Sequence, residues 1–260
     1  MSHTHLHAPG HSDPSDPLGA GPGEVLRAIP WLAAVSPATL GRLAEHAVLH
    51  RVPAGSMLFE QAETPAFAQI LVAGSVELLG VSEQGETRIE LVSAVDLLLP
   101  AAVLTRQPYL LRARVLEEAH LLMVQADAFR LAVTQDHALC LAVLACQAAQ
   151  FRRQVKQAKN VRLRSAEERI GCYLLRLLGK TKPDTPVRLP LNKRQIASEL
   201  GMTRETFSRA LGGVARHGLR IDGDVVVLHD PAAAYARFRL DPLIDGIETI
   251  QPLPRQGAEG

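Results

Sequence analysis

Apolar positions along the chain fall into three textures. Between residues 24 and 52, "EVLRAIPWLAAVSPATLGRLAEHAVLHRV" spaces them as short amphipathic helices do, and Ser36-Pro37 suits an N-cap followed by a first helical position. From Pro53 the pattern changes to short apolar runs parted by Gly-bearing turns. Examples are "QILVAG", "SVELLGV" and "TRIELV", with Glu83-Gln84-Gly85-Glu86 between the last two. That alternation predicts antiparallel strands joined by hairpins. "RARVLEEAHLLMVQ" (112–125) reads as a further hairpin or pair of strands, so 53–125 predict a small β-roll or barrel.

The third texture is helical. From Ala128 to about Leu163 there is neither Pro nor Gly, which permits one unbroken helix. Leu141, Leu144, Ala148, Phe151, Val155 and Ala158 are spaced alternately by three and four, as in a coiled-coil seam. The adjoining "RRQVKQAK" suits a seam between two helices better than a helix inside a monomer core. Ser165-Ala166-Glu167-Glu168 fits a capping box, and Gly179 is placed to stop the helix it starts. After a connector at 181–190 come helices at 192–200 and 204–217, separated by "GMT". A hairpin follows, "LRIDGDVVVLHD", with Asp222-Gly223 at its turn. Helix, helix, turn, helix, hairpin is the order of a winged helix-turn-helix. The fold class expected is α+β, with a disordered tail at 1–23, a sensor-like β-roll at 24–126 and a long helix at 127–163. A DNA-binding unit at 164–235 and a C-terminal tail at 236–260 complete it.

Composition sharpens this picture in two places. The net charge of the 260 residues is +1. It conceals an acidic front, with 8 Lys and Arg against 15 Asp and Glu in residues 1–150, and a basic back, with 17 against 8 in residues 151–230. A basic half attracts a phosphate backbone. The three cysteines, Cys140, Cys146 and Cys172, include no C-x-x-C pair, which argues against a disulfide framework or a four-thiolate cluster. His3, His5, His7 and His11 suit adventitious metal binding on a flexible tail. The start is polar, and "ALCLAVLAC" is too short to span a bilayer, so a soluble cytoplasmic protein is expected.

The chemistry concentrates in "GMTRETFSRAL" (201–211). At about 100° per residue, Ser208, Glu205 and Arg209 fall within roughly 140° of Arg204, and Phe207, Leu211 and Val214 take the opposite side. Arg donates to guanine O6 and N7, Glu accepts from cytosine N4, and Ser bonds to several base edges. The apolar side is expected to pack on Ile196 and Leu200. Gly201 sits at the turn, and Thr203 is placed to cap the second helix. Asn192, Lys193, Thr203 and Thr206 lie where phosphates are held. A solvated Glu205–Arg209 pair is the competing reading of the same spacing.

On these residues the chain resembles the CRP/FNR family of bacterial transcription regulators over roughly 25–235. "PAGSMLFEQAE", "GSVELL" and "GETRIE" are similar to the family's cyclic-nucleotide-binding-like β-roll, and "LNKRQIASELGMTRETFSRAL" to its helix-turn-helix. Glu205-x-x-Ser208-Arg209 resembles the recognition signature of the FNR branch, while Arg204 before the Glu resembles the CRP branch. The resemblance implies a homodimer on a palindromic site with a TTGA-type core, RNA polymerase as a partner, no membrane and no catalysis. The hinge would fall near Arg162–Ser165. The family's Arg-Ser positions for a cyclic nucleotide fall on Tyr109-Leu110, and its Gly-Glu region reads "DLLLPAAVL", so cyclic AMP is not expected. Arg106 and Arg112 are the nearest substitutes. The effector pocket is placed at Tyr109, Leu110, Gln154 and Val155. "AAVLTRQPYLLRARVLE" resembles a DNR/NnrR-like branch, which implies haem and nitric oxide, with His46, His50, His120, His137, Cys140 and Cys146 as candidate axial ligands. Two alternatives stay open: a haem protein of gas chemistry with a vestigial helix-turn-helix, and a constitutive DNA-binding dimer with a degenerate sensor.

Overall fold

The computed structural model describes residues 20–83, 85–179 and 186–251. The histidine-rich stretch at 1–19 lies outside them. Residues 20–23, expected to continue that tail, instead lead into α1 (Pro22–Ala28), with Pro22 at its first position. A short 3-10 turn (Pro30–Leu32) and α2 (Pro37–Glu45) follow, and Ser36 caps α2 through the Thr39 amide. The helical reading of 24–52 fails at its end, because Ala47–Val52 is strand β1. β1 pairs antiparallel with residues 119–124, and pairing to a sheet overrides a weak helical pattern.

The β-roll comprises β1, β2 (Met57–Phe59), β3 (Phe67–Ser82), β4 (Gly85–Ser93), β5 (Asp96–Leu98) and β6 (Arg112–Gln125), with α3 (Pro100–Thr105) after β5. Its strand order is β1-β6-β3-β4, with β2 on β6 and β5 on β3, all antiparallel. "QILVAG" and "SVELLGV" are one strand, not two. Gly74, at φ +85°, marks an irregularity between them, and a Cβ there would lie 2.2 Å from the Glu118 carbonyl oxygen. β6 is likewise a single strand rather than a hairpin. These strands bury both faces, which makes their apolar runs continuous. Ile70, Leu122 and Val124 join a core with α1, the 3-10 turn and the helices that follow, whereas Leu71, Val76, Val115 and Leu121 fill the roll interior.

The helix expected at 127–163 is broken. α4 (Ala126–Gln135) and α5 (His137–Leu163) meet at 113°. At the break, extended Asp136 caps α5 through the Leu139 amide and accepts hydrogen bonds from the Thr39 and Ser36 hydroxyls. The Thr39 hydroxyl, with the Leu139 amide, holds its carboxyl below the usual range. No Gly or Pro is needed, since an N-cap bonded to a neighbouring helix supplies the bend. Among the described residues no single helix is long and apolar enough to cross a membrane; α4 and α5 meet length and composition only as a bent pair.

The C-terminal unit holds α6 (Ala166–Leu178), β7 (Val187–Arg188), α7 (Lys193–Glu199), α8 (Arg204–Arg216), β8 (Leu219–Asp222), β9 (Val225–Leu228) and α9 (Pro231–Arg237). Ser165 and Glu168 form the expected capping box, and Gly179 ends α6. The β8–β9 pairing puts Gly223 and Asp224 at the turn, one position later than the reading from sequence. Far from a loose tail, the segment after α9 buries Phe238 against Gly171 and forms α10 (Pro242–Asp245). A Cβ on Gly171 would lie 2.3 Å from the Phe238 ring. In an open helix Gly→Ala gains about 1 kcal/mol, but overpacking a buried ring costs roughly 1–3 kcal/mol. Gly171→Ala is therefore expected to lower the melting temperature, measured by calorimetry, where propensity alone would raise it.

Candidate nucleic-acid interface

α8 is fixed from below. Phe207, Ala210 and Val214 are buried in one cluster with Ile196 and Leu200 of the preceding helix end, and Leu211 packs on its edge. The turn between the helices is held by Gly201, at φ +64°, whose absent Cβ leaves room for Val161 of α5. Arg169 on α6 donates to the Leu200 and Gly201 carbonyls, closing the end of α7. Sequence reading missed Arg169, since its spacing on α6 carries no sign of the carbonyls it meets.

Arg204, Glu205, Ser208 and Arg209 all lie exposed on the first turns of α8. Among the described residues none of Arg204, Glu205 or Arg209 makes a salt bridge with another side chain, so the solvated-pair reading is not realised. Glu205 is held below the usual carboxylate range by its own backbone amide and the Thr203 hydroxyl, then by Arg204 and Arg209. It is thus an anion ready to accept hydrogen bonds. Thr203 caps α8 through the Thr206 amide, and Asn192 caps α7 through the Gln195 amide. Their cap roles leave less of each side chain for phosphate than expected. Lys193 is exposed at the start of α7 beside Arg194, a cation the sequence reading passed over. The wing offers no comparable grip, because Arg188 pairs with Asp224 and Arg220 lies near Asp222.

The seam expected on α5 is uncovered. Leu144, Phe151 and Val155 are 52%, 65% and 41% exposed, with Ala148 and Ala158 exposed beside them and Leu141 half-buried. Leu139, Ala142, Val143 and Cys146 occupy the buried side. The flank "RRQVKQAK" is not merely solvated. Arg153 bonds to Glu90 and Asp96, Gln154 to Glu90, and Gln157 to the Glu199 carbonyl.

The effector pocket expected at Tyr109, Leu110, Gln154 and Val155 does not form. Tyr109 is buried in the roll, stacked on Phe59 at 3.8 Å between ring centroids, and burial pushes its hydroxyl up to about 12. Leu110 is 84% exposed, Gln154 is engaged by Glu90, and Val155 lies exposed on the apolar stripe of α5. The family resemblance puts Tyr109 at the place of a phosphate ligand, whereas its ring fills the interior. The nearby arginines are also engaged, Arg112 by Glu60 and Glu86, Arg106 by Asp127. The haem candidates do not converge. His46 ends α2, His50 and His120 sit on β1 and β6, and His137 and Cys140 are exposed on α5. Cys146 is buried in the core, where burial pushes its thiol up. None lines either cavity bordering the β-roll, so these donors do not fit a haem site.

A break between α5 and α6 falls at 162–165, where the hinge was expected, and it is clamped. α5 ends at Leu163, and the Arg164 guanidinium donates to both Asp245 oxygens at 2.8 and 2.6 Å and to the Arg239 carbonyl. Farther along, Glu248 accepts from Arg152 and Lys156, which hold its carboxyl at about 2. A folded pKa depressed from about 4.3 stabilises the strap fully above that value and loses the contribution as pH falls toward the folded one. The protection of the 244–250 amides, their exchange rates divided by the intrinsic rates at each pH, should therefore be constant from about pH 5 to 8 and fall only below about pH 4. Glu248→Gln should produce the low protection already at neutral pH.

A model of the Crp-like helix-turn-helix domain matches residues 168–233, and one of the cyclic nucleotide-binding domain matches 49–136. The chain belongs to the CRP/FNR family. Nitrogen fixation regulation protein FixK of Bradyrhizobium diazoefficiens is 36% identical over 93 residues, which span 32% of this chain and 39% of FixK. FixK2 from Bradyrhizobium japonicum superposes with a TM-score of 0.59 at 19% identity, over 75% of this chain and 98% of that one. A crp/fnr-family regulator from Eubacterium rectale gives 0.66 at 14% identity, over 82% and 99%. These last two likenesses are of fold. The two matched domains of this family member leave the whole of α5 between them, the helix that carries the apolar stripe.

Proposed function

We propose that the protein is a sequence-specific DNA-binding transcription regulator acting as a homodimer. The observation that carries this reading is the open face of α8: four base-edge-reading side chains exposed on a helix whose other side is buried. The exposed α5 stripe supports pairing of two copies, which would present two recognition helices to a palindrome with a TTGA-type core about one helical turn apart. DNA-bound, the dimer would act through RNA polymerase. Intact packing beneath α8 speaks against a vestigial helix-turn-helix. Fluorescence anisotropy on a TTGA-type palindrome, against a scrambled duplex, tests the proposal. Expected is a preference of at least about a thousandfold at fixed salt; equal affinities would refute it.

The second reading, a constitutive DNA-binding dimer, is favoured by one observation, the filled interior of the β-roll around Phe59 and Tyr109. On that reading no small molecule alters DNA affinity. On the regulated reading the effector would need a site outside that filled interior.

A further inference from the structure

The strap, residues 241–250, runs back from the DNA-binding unit along α5 and ends where Ile250 packs on the core that α5 shares with the β-roll. Its polarity is reversed. Asp245 and Glu248 turn inward to Arg164, Arg152 and Lys156, and both carboxylates are largely buried. Leu243 and Ile247 point outward, 66% and 74% exposed. A segment whose outer face met only water would show its acids and hide its leucine and isoleucine. Leu163, at the end of α5, is exposed beside them.

The strap borders the exposed stripe of α5. At about 100° per residue, Lys159, Arg152 and Lys156 lie roughly 80–140° around the helix from Phe151, just past Val155. Glu248 accepts from Arg152 and Lys156, and Lys156 and Lys159 donate to the Gly246 and Leu243 carbonyls. Two properties of α5 make a second copy of this chain the occupant of that border. From Leu141 to Ala158 the stripe covers about two and a half heptads, short of the three or four that sustain a two-helix seam. A stable interface buries about 800 Å² on each partner, more than one row of six side chains, two of them alanine, supplies. The helix also carries five Lys and Arg and no Asp or Glu, so two copies side by side offer each other's cations no carboxylate. The strap supplies what is missing, since Glu248 holds Arg152 and Lys156, and Asp241 lies 4.0 Å from Lys159.

We propose that the strap is part of the dimer interface, with Leu243 and Ile247 of each copy extending the α5 stripe onto the other copy. This rests on the homodimer reading above and adds the surface that two short seams lack. In a parallel pair, the edge of one helix beside its seam faces the opposite edge of the other. On α5 that opposite edge carries Gln147, Gln154 and Val161, and Val161 is exposed. Apolar strap side chains laid against it cover Val161 without meeting a charge. Asp245 of the same strap grips Arg164 between α5 and α6, so pairing of two copies also bears on the joint to the DNA-binding unit.

Sedimentation equilibrium of the full-length protein over a range of concentrations tests this. Leu243→Asp and Ile247→Asp, each placing an unpaired charge on the apolar border, should raise the dimer dissociation constant at least about tenfold. Leu131→Asp puts the same charge on an exposed leucine of α4, outside the stripe and the strap, and should leave the constant unchanged. All three side chains are exposed in the single chain, so circular dichroism should show the parent fold and the strap amides the parent's protection. A parent that dimerises, with both strap variants dissociating as it does, overturns the strap interface and leaves the homodimer reading standing. Equal weakening by Leu131→Asp makes the effect one of net charge and also overturns the strap interface alone. A parent that stays monomeric at every concentration overturns the homodimer reading, and the strap interface with it.

Discussion

Arg209→Ala is expected to lower affinity for the palindrome at least about thirtyfold while leaving affinity for a scrambled duplex nearly unchanged. A bidentate Arg–guanine contact is worth about 1–3 kcal/mol of discrimination, and the dimer makes it twice. The side chain is exposed and unpaired among the described residues, so its removal leaves no buried group unsatisfied and should not alter stability. This separates base reading from general cation loss, because a phosphate-binding Lys193→Ala change should weaken both duplexes together. Glu205→Ala should relax the preference at one base position of each half-site. Anisotropy with both duplexes at one salt concentration measures the effects. A parallel fall on both duplexes for Arg209→Ala would reassign it to the backbone.

Phe151→Glu should convert the protein to a monomer and reduce palindrome affinity by about a hundred- to ten-thousandfold, the range lost when two linked sites must bind independently. Phe151 is 65% exposed in the single chain, whereas its seam neighbours across two copies would be apolar. Placing two carboxylates face to face at a seam position opposes association directly. The single-chain fold should survive, since Leu139, Val143 and Cys146 on the opposite side carry the packing. Sedimentation velocity gives the oligomeric state and circular dichroism the fold. A variant that remains dimeric would move the interface away from this stripe; one that unfolds would mean that Phe151 is core.

What the sequence disclosed depended on how local the cause was. Ser165 with Glu168, Thr203 with Thr206, and the stop at Gly179 are decided within four residues, and they read true. The alternation of Phe207, Leu211 and Val214 against Arg204, Glu205 and Ser208 is one helix's periodicity, and it placed both faces of α8. Errors came where a distant partner decides. Ala47–Val52 became a strand because β6 pairs with it, and α4 parts from α5 because Asp136 finds Thr39 nearly a hundred residues away. The effector pocket failed for the same reason. A gapless count put Tyr109 where a ligand would sit, but whether a ring faces a ligand or Phe59 depends on the opposite wall. The strap was the hardest to see. "DPLIDGIETIQ" carries little periodic pattern, and it is Arg152 and Lys156 on α5, with Arg164 just beyond its end, that engage Glu248 and Asp245.

Two copies of α8 are expected to read an inverted repeat. Selection of bound duplexes from a random pool by the purified full-length protein tests it most directly. The expected result is an enriched inverted repeat with TTGA-type arms whose centres lie about 10 base pairs apart, as two major-groove entries on one face require. Enrichment of a single unrepeated element, or of no sequence at all, would contradict it.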